Sequence, residues 1–400
     1  MDVNSPFQLK TALVHHWLVT RRGGERVLEA LAQMFPSADL FTLVYKDSQI
    51  PASIEPHRLH SSFLQRLPRP TRWYRYYLPL FPMATERLNL TGYDLVITSD
   101  AATMKGVRVD THATHICYCH SPMRCVWSGY DTYSQTANPL ERLALSAVRA
   151  PLRAWDYRAA QRVTQFVANS HNVKRRIQDC YRRESIVIYP PVDTDEFVMP
   201  LFRRTREGFY LVVSQLVPYK RVDLIVEAFN RCGEHLVVVG SGPDQARLER
   251  QAKSNIRFLG AQPQRAVVEA MQSCRAFVFA GEEDFGIVMV EAQACGTPVI
   301  ALGKGGAREI VEDGATGILF EEQSGDSLLR GLKRFHRTSF DGVRIRASAL
   351  RFTRQRFLRE FRALANEKTR FTNQPEVGWA SLPPSLPALD EETALLPRDG

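Results

Sequence analysis

The sequence predicts two doubly wound α/β domains in tandem, with a ligand cleft between them. Three observations lead there. Short continuous apolar runs alternate with helical stretches, the pattern of parallel strands covered on both faces. That pattern breaks at Tyr189-Pro190-Pro191-Val192-Asp193 and restarts at Tyr210-Leu211-Val212-Val213. In each half a strand runs into glycines, Gly23-Gly24 in the first and Gly240-Ser241-Gly242 in the second. Parallel sheets bind ligands at the carboxyl ends of their strands, so two such domains facing each other make one deep cleft.

The elements follow in order. Thr11 to Val14 reads as a buried strand and Glu25 to Phe35 as a helix, with Val27, Leu28, Leu31 and Met34 on its apolar face. Further strands are Leu95–Thr98, His115–Cys119, Phe166–Ala168 and Ile186–Ile188. In the second half, strands at 210–213, 236–239, 276–279 and 298–301 alternate with helices, the first of them Arg221–Arg231. The reading divides the chain into residues 1–192, a linker at 193–207, a second domain at 208–340, a helix at 341–367 and a tail at 368–400. The Pro-rich, weakly patterned tail is expected to be disordered. Four hundred residues suit two domains and an extension.

Composition excludes several classes. The chain is 44% hydrophobic and 24% charged, as soluble globular chains are. It has no apolar run of membrane-spanning length, and Met1–Lys10 lacks a signal-peptide core. Seven cysteines without framework spacing fit reduced thiols. The expected location is therefore the cytosol. A net charge of +9 points to anionic partners: nucleic acid, lipid or phosphorylated small molecules. No acidic residue occurs between Pro56 and Thr85, where arginines 58, 66, 69, 72 and 75 are interleaved with aromatics. If helical, this stretch sets Trp73, Tyr76, Tyr77 and Leu80 on one face and Arg69, Arg72 and Arg75 on another, as in an interfacial segment. A loop packed on its own domain fits the same residues.

Chemistry concentrates at Glu283-Asp284-Phe285-Gly286-Ile287-Val288-Met289-Val290-Glu291. A helix beginning near Gly286 offers unpaired amides and a positive dipole end to a diphosphate. Glu291, inside that helix, is placed for a ribose hydroxyl. Glu283, on the loop before it, would sit beside whatever the phosphates carry. A buried Glu291 needs a partner in any case. Lys220 and Arg221 follow the first strand of the second domain and can neutralise a diphosphate. Gly24 permits close approach of the backbone to a ligand. His120, at a strand end, suits a sugar contact, acid–base work or a satisfied structural role equally. Cys117, Cys119, His120 and Cys125 lack paired zinc spacing, and alternation sends Cys119 and His120 to opposite faces. Asp193-Thr194-Asp195 imitates a metal-binding pair of acids, but is read as a helix N-cap with no metal.

These motifs, with His15-His16-Trp17-Leu18, Gly23–Glu29, Cys117–Arg124, Asn169-Ser170 and Leu216–Asp223, resemble the family-4 retaining glycosyltransferases of the GT-B fold. The similarity runs from Ala12 to Arg362 and is strongest to bacterial mannosyltransferases of O-antigen and exopolysaccharide assembly. The resemblance implies that Lys220, Arg221, Phe285, Gly286 and Ile287 hold the donor diphosphate, with Gly24 approaching it. It assigns Glu291 to the ribose, and Glu283 and His120 to the transferred sugar. It implies a GDP-mannose donor, a glycan or polyprenyl-diphosphate-linked acceptor, and contact of residues 58–82 with an anionic membrane. It further implies no metal, no cofactor and no nucleic acid, and a helix near 344–364 crossing back onto the first domain. Gln215 stands where the family usually has Arg, and Ala280 where Pro is common. A UDP-sugar donor is an alternative, and a non-catalytic nucleotide-sugar-binding or membrane-associated protein is another.

Overall fold

The computed structural model describes residues 9–20, 23–130, 139–200 and 208–369. In the first half, the run Thr11-Ala12-Leu13-Val14-His15 is wholly buried and forms β1 (Thr11–His15). It is followed by α1 (Gly23–Met34), β2 (Asp39–Thr42), β3 (Leu59–Ser61), α2 (Pro70–Trp73), α3 (Phe81–Glu86), β4 (Leu95–Asp100) and β5 (Thr114–Cys119). Then come α4 (Pro139–Ala160), β6 (Gln165–Ala168), α5 (His171–Tyr181) and β7 (Ser185–Val187). The seven strands form one sheet in the order β3-β2-β1-β4-β5-β6-β7. Every pairing in it is parallel. The order reverses between β1 and β4, so their carboxyl ends flank the switch point.

The second half repeats the plan. It comprises β8 (Phe209–Val213), α6 (Val222–Cys232), β9 (His235–Val239), α7 (Gln245–Gln251), β10 (Ile256–Gly260), α8 (Gln264–Ser273), β11 (Ala276–Phe279) and α9 (Ile287–Ala294). β12 (Val299–Leu302), α10 (Ala307–Ile310), β13 (Gly317–Phe320) and α11 (Gly325–His336) complete it. Its six parallel strands run β10-β9-β8-β11-β12-β13, with the switch between β8 and β11. Lys220 follows β8 and Glu283 follows β11, so topology brings both to one edge.

The expected single helix at 344–364 is two. α12 (Gly342–Ala349) lies on α9, and Arg346 Nη1 donates to the carbonyl of Phe197 at 2.9 Å. A tight turn at Leu350–Phe352 ends it. The turn buries Phe352 against Tyr189 and Phe285, and extended Thr353 then caps the next helix through its hydroxyl. Only this helix, α13 (Arg354–Lys368), crosses back. It packs Phe357, Leu358, Phe361 and Leu364 into the core beneath the first sheet. Val192 N–H donates to the carbonyl of Phe352 at 3.0 Å where the chain passes between the halves.

Asp193-Thr194-Asp195 forms a single turn rather than the expected helix start, and its carboxyls are engaged by side chains of α13 rather than capping backbone amides. Asp193 is ion-paired with Arg354 at 3.1 Å, and Gln355 donates to Asp195. Residues 201–207 of the expected linker and the tail from residue 370 lie outside the described residues. The seven cysteines are free thiols.

Candidate functional site

Three strand ends of the first domain build one wall of the cleft. At the end of β4, the buried side chains of Thr98, Ser99 and Asp100 each hold a neighbour. Thr98 Oγ1 meets His115 Nε2 at 3.1 Å. Ser99 Oγ lies 3.0 Å from His15 Nδ1 and 2.8 Å from His120 Nε2. Asp100 accepts from the amides of Ala102 and Met104 and from Lys105 Nζ. Gly24 sits over this floor: a Cβ there would lie 3.6 Å from both His120 Nε2 and His15 Cε1. That is ordinary contact, so Gly24 keeps the surface low rather than relieving a clash.

The opposite wall is the β11–α9 turn. Gly286 has φ +103°, which only glycine adopts readily, and a Cβ there would strike Met289 Cε. The turn is gripped from below by Gly305 and Gly306, whose missing side chains let their backbone lie against Glu283 and Phe285. The Gly306 amide donates to the Glu283 carbonyl at 2.9 Å. A Cβ at Gly23 would be 2.9 Å from Ile287 Cδ1. The first residue of α1 therefore meets the first residue of α9, and the positive ends of two helices converge on one spot.

Ion pairs fill the space between. Lys220 is paired with Glu283, and Arg26, one turn into α1, is paired with Glu291 across the domains. Arg124 and Arg176 both bind Asp284, and Arg176 also reaches Glu282 at 3.0 Å. Ser170 Oγ donates to the Asp284 carbonyl at 2.6 Å. Glu309 accepts from the amides of His171 and Asn172 at 2.8 and 2.9 Å, capping α5 from the other domain. The carboxyls diverge in their acidity. Burial pushes Glu283 up, but Lys220 and Arg124 outweigh it and hold the carboxyl below its usual range. At Glu291 burial prevails over Arg26, helped by Asp193 and Glu196, and the carboxyl is raised.

The structure thus gathers Gly24, His120, Lys220, Glu283, Gly286, Ile287 and Glu291 around one cleft. Two assignments need correction. The Phe285 ring is 3% exposed and packs between Tyr189 and Phe352, so only its backbone can face a donor. Arg221 adopts φ +54° and is held by Asp223 at 3.2 Å and by Gln323. The anion offsetting its charge at the start of α6 is therefore Asp223, and Arg221 does not join the Lys220–Glu283 pair. Gln215, where the family usually has Arg, is exposed. Sequence reading assigned no role to Arg26, Ser99, Arg176, Gly305, Gly306 or Glu309. The Gly305-Gly306 pair was the one local signal, while the others act through partners more than 20 residues away. Among the described residues no three metal-ligating side chains cluster.

Two parallel-sheet domains with helix N-termini and paired carboxylates meeting across a cleft define the GT-B class of fold. Family models agree with it. One described as Glycosyltransferase Family 4 matches residues 21–196, and one described as Glycosyl transferases group 1 matches residues 193–346. The chain belongs to the family-4 glycosyltransferases. It is 30% identical over 169 residues to an uncharacterized glycosyltransferase of Methanocaldococcus jannaschii, covering 41% of this chain and 47% of that protein. It is 39% identical over 108 residues to a GDP-mannose-dependent alpha-mannosyltransferase of Mycobacterium tuberculosis, covering 27% of this chain and 28% of that one. The chain thus spans less than half the length of these curated relatives. Among solved structures, Anabaena HepE in complex with UDP and glucose superposes with a TM-score of 0.65 at 17% identity, over 90% of this chain and 99% of that one.

Proposed function

We propose that the protein is a retaining glycosyltransferase. It moves a hexose, mannose from GDP-mannose, to a lipid-linked oligosaccharide during polysaccharide or O-antigen assembly. The observation that carries this is the meeting of two helix N-termini at Gly23 and Ile287, with Lys220, Glu283 and Glu291 beside it. Such a place suits a diphosphate. Similarity to the GDP-mannose-dependent relative supports mannose, and HepE, which binds UDP and glucose, supports a UDP-sugar as the second reading.

In this reading the diphosphate draws Lys220 from Glu283, and the freed carboxylate accepts hydroxyls of the transferred sugar. Lys220 and the helix ends hold the charge that develops on the leaving diphosphate. We assign that work to these groups rather than to a metal. His120 contacts the sugar from the first domain, and Glu291 takes the ribose in place of Arg26. The acceptor enters on the leaving-group face, so catalysis is positioning and charge stabilisation. The site of action is the cytosol, at the inner membrane face. No helix among the described residues is long and apolar enough to cross a membrane, so contact would be peripheral.

The test is turnover of GDP-mannose with a polyprenyl-diphosphate-linked monosaccharide, reading the anomeric configuration of the product by NMR. An α-linked mannoside is expected. Glu283→Ala should lose at least about a hundredfold in kcat while nucleotide affinity holds. Wild-type turnover by Glu283→Ala would remove the assignment, and nucleotide binding without any transfer would favour the non-catalytic alternative.

A further inference from the structure

The His15–Ser99–His120 chain bears on how His120 can act. Ser99 lies between the two imidazoles and has a single proton. Burial, first of all, and neighbouring His16 drive both rings down, His120 to about 3, so both are neutral near pH 7. The other titratable groups facing them are His16, through its contact with the Ser99 carbonyl, Asp100, whose carbonyl holds the His120 amide, and Tyr118, whose ring lies edge-on to that of His120 at 5.2 Å between centroids. Each neutral ring carries one proton. Of the arrangements that satisfy both contacts, two also use the Ser99 proton; if both imidazoles donated to Ser99, its O–H would be left without an acceptor among the described residues. In one of the two, His15 Nδ1–H donates to Ser99 and Ser99 O–H donates to His120 Nε2. In the other, every donor is reversed, and the His15 proton then resides on Nε2.

His15 decides between them. Its ring is fully buried, and its Nε2 has no hydrogen-bond partner among the described residues. An unpaired buried N–H is the rarer orphan in folded proteins, and an under-satisfied acceptor the commoner one. The first arrangement therefore holds, and it leaves the His120 proton on Nδ1.

We propose that Ser99 and His15 fix the tautomer of His120, so that His120 meets the transferred sugar as an Nδ1–H donor and not as a base. The sugar contact rests on the glycosyltransferase reading, but the tautomer does not. Ser99 and His15 are positioning residues, because they act on the sugar only through His120. The consequence is specificity. Nδ1–H seeks a sugar oxygen with a free lone pair and offers no acceptor to a hydroxyl proton.

Histidine-labelled protein tests this by two-bond 1H–15N NMR at neutral pH, with the His120 signals assigned by their loss in His120→Gln. The wild type should show His120 as the Nδ1–H tautomer. Ser99→Ala should shift His120 towards Nε2–H, and Ser99→Thr, which keeps the hydroxyl, should not. In transfer assays Ser99→Ala should lose about tenfold in kcat at unchanged affinity for GDP or UDP, with Ser99→Thr restoring most of it. A wild-type His120 protonated on Nε2 would overturn the proposal without any variant, as would an unchanged tautomer in Ser99→Ala. Absent turnover beside a wild-type Nδ1–H signal would sink the glycosyltransferase reading and leave the tautomer standing.

Discussion

Glu283 and Glu291 lie on one turn and helix, yet their surroundings move them apart. Glu283 is held ionised by Lys220 and Arg124, while burial raises Glu291 despite Arg26. Carboxyls separated in this way commonly take separate roles in one site. Histidine shows the cost of burial more directly. His115 is fully buried, and that burial lowers its pKa to about 4. Below pH 6.5 the unfolded chain binds a proton that the folded chain refuses, so stability falls as pH drops and levels off below about 4. Between pH 7 and 5 the loss from His115 alone should be about 2 kcal/mol. Urea unfolding across that range checks it. His115→Gln should flatten the dependence by that amount, and an identical slope in the variant would contradict the burial argument.

At the scale of elements, the segment Pro70–Glu86 is folded as a chain of short helical turns. Tyr74 and Phe81 point into the domain, while Trp73, Tyr76, Leu80 and Met83 stand outward, Tyr76 being 66% exposed. Aromatics turned to solvent beside Arg69, Arg72 and Arg75 suit an anionic bilayer. Replacing the three arginines with Gln should lower binding to phosphatidylglycerol vesicles at low salt by at least about tenfold. Unaltered binding would return the segment to plain packing. The same segment marks what sequence could tell. Its periodicity named Trp73, Tyr76, Tyr77 and Leu80 as one face, but not which way that face turns, and Tyr77 is half-buried and donates to the Pro68 carbonyl at 2.6 Å. Buried strands such as β1, β5 and β11 were legible because their apolar runs are continuous. β2 and β3 were not, since Asp39–Thr42 and Leu59–Ser61 are short and mixed. Gly286 and Gly296 were legible as a helix start and stop, and both have positive φ. The break at Leu350–Phe352 was not, because it is set by Phe352 entering an aromatic cluster built from distant residues.

Across the whole molecule, one repeated device joins the halves: cations of the first domain meet acids of the second. Arg26, Arg124 and Arg176 bind Glu291, Asp284 and Glu282 over sequence separations of more than a hundred residues. None of these pairings could be read from local spacing, although Arg26, Arg124, Asp284 and Glu291 sit in motifs that could. They align the amino ends of α1 and α9 on the cleft. A nucleoside diphosphate seated there would tie both domains together and compete with Arg26 for Glu291 and with Glu283 for Lys220. Calorimetric titration of GDP, UDP and ADP into the wild type and Lys220→Ala tests this most directly. The account predicts that GDP binds selectively and that Lys220→Ala weakens it at least about tenfold. Binding of none of the three nucleotides to the wild type would contradict it.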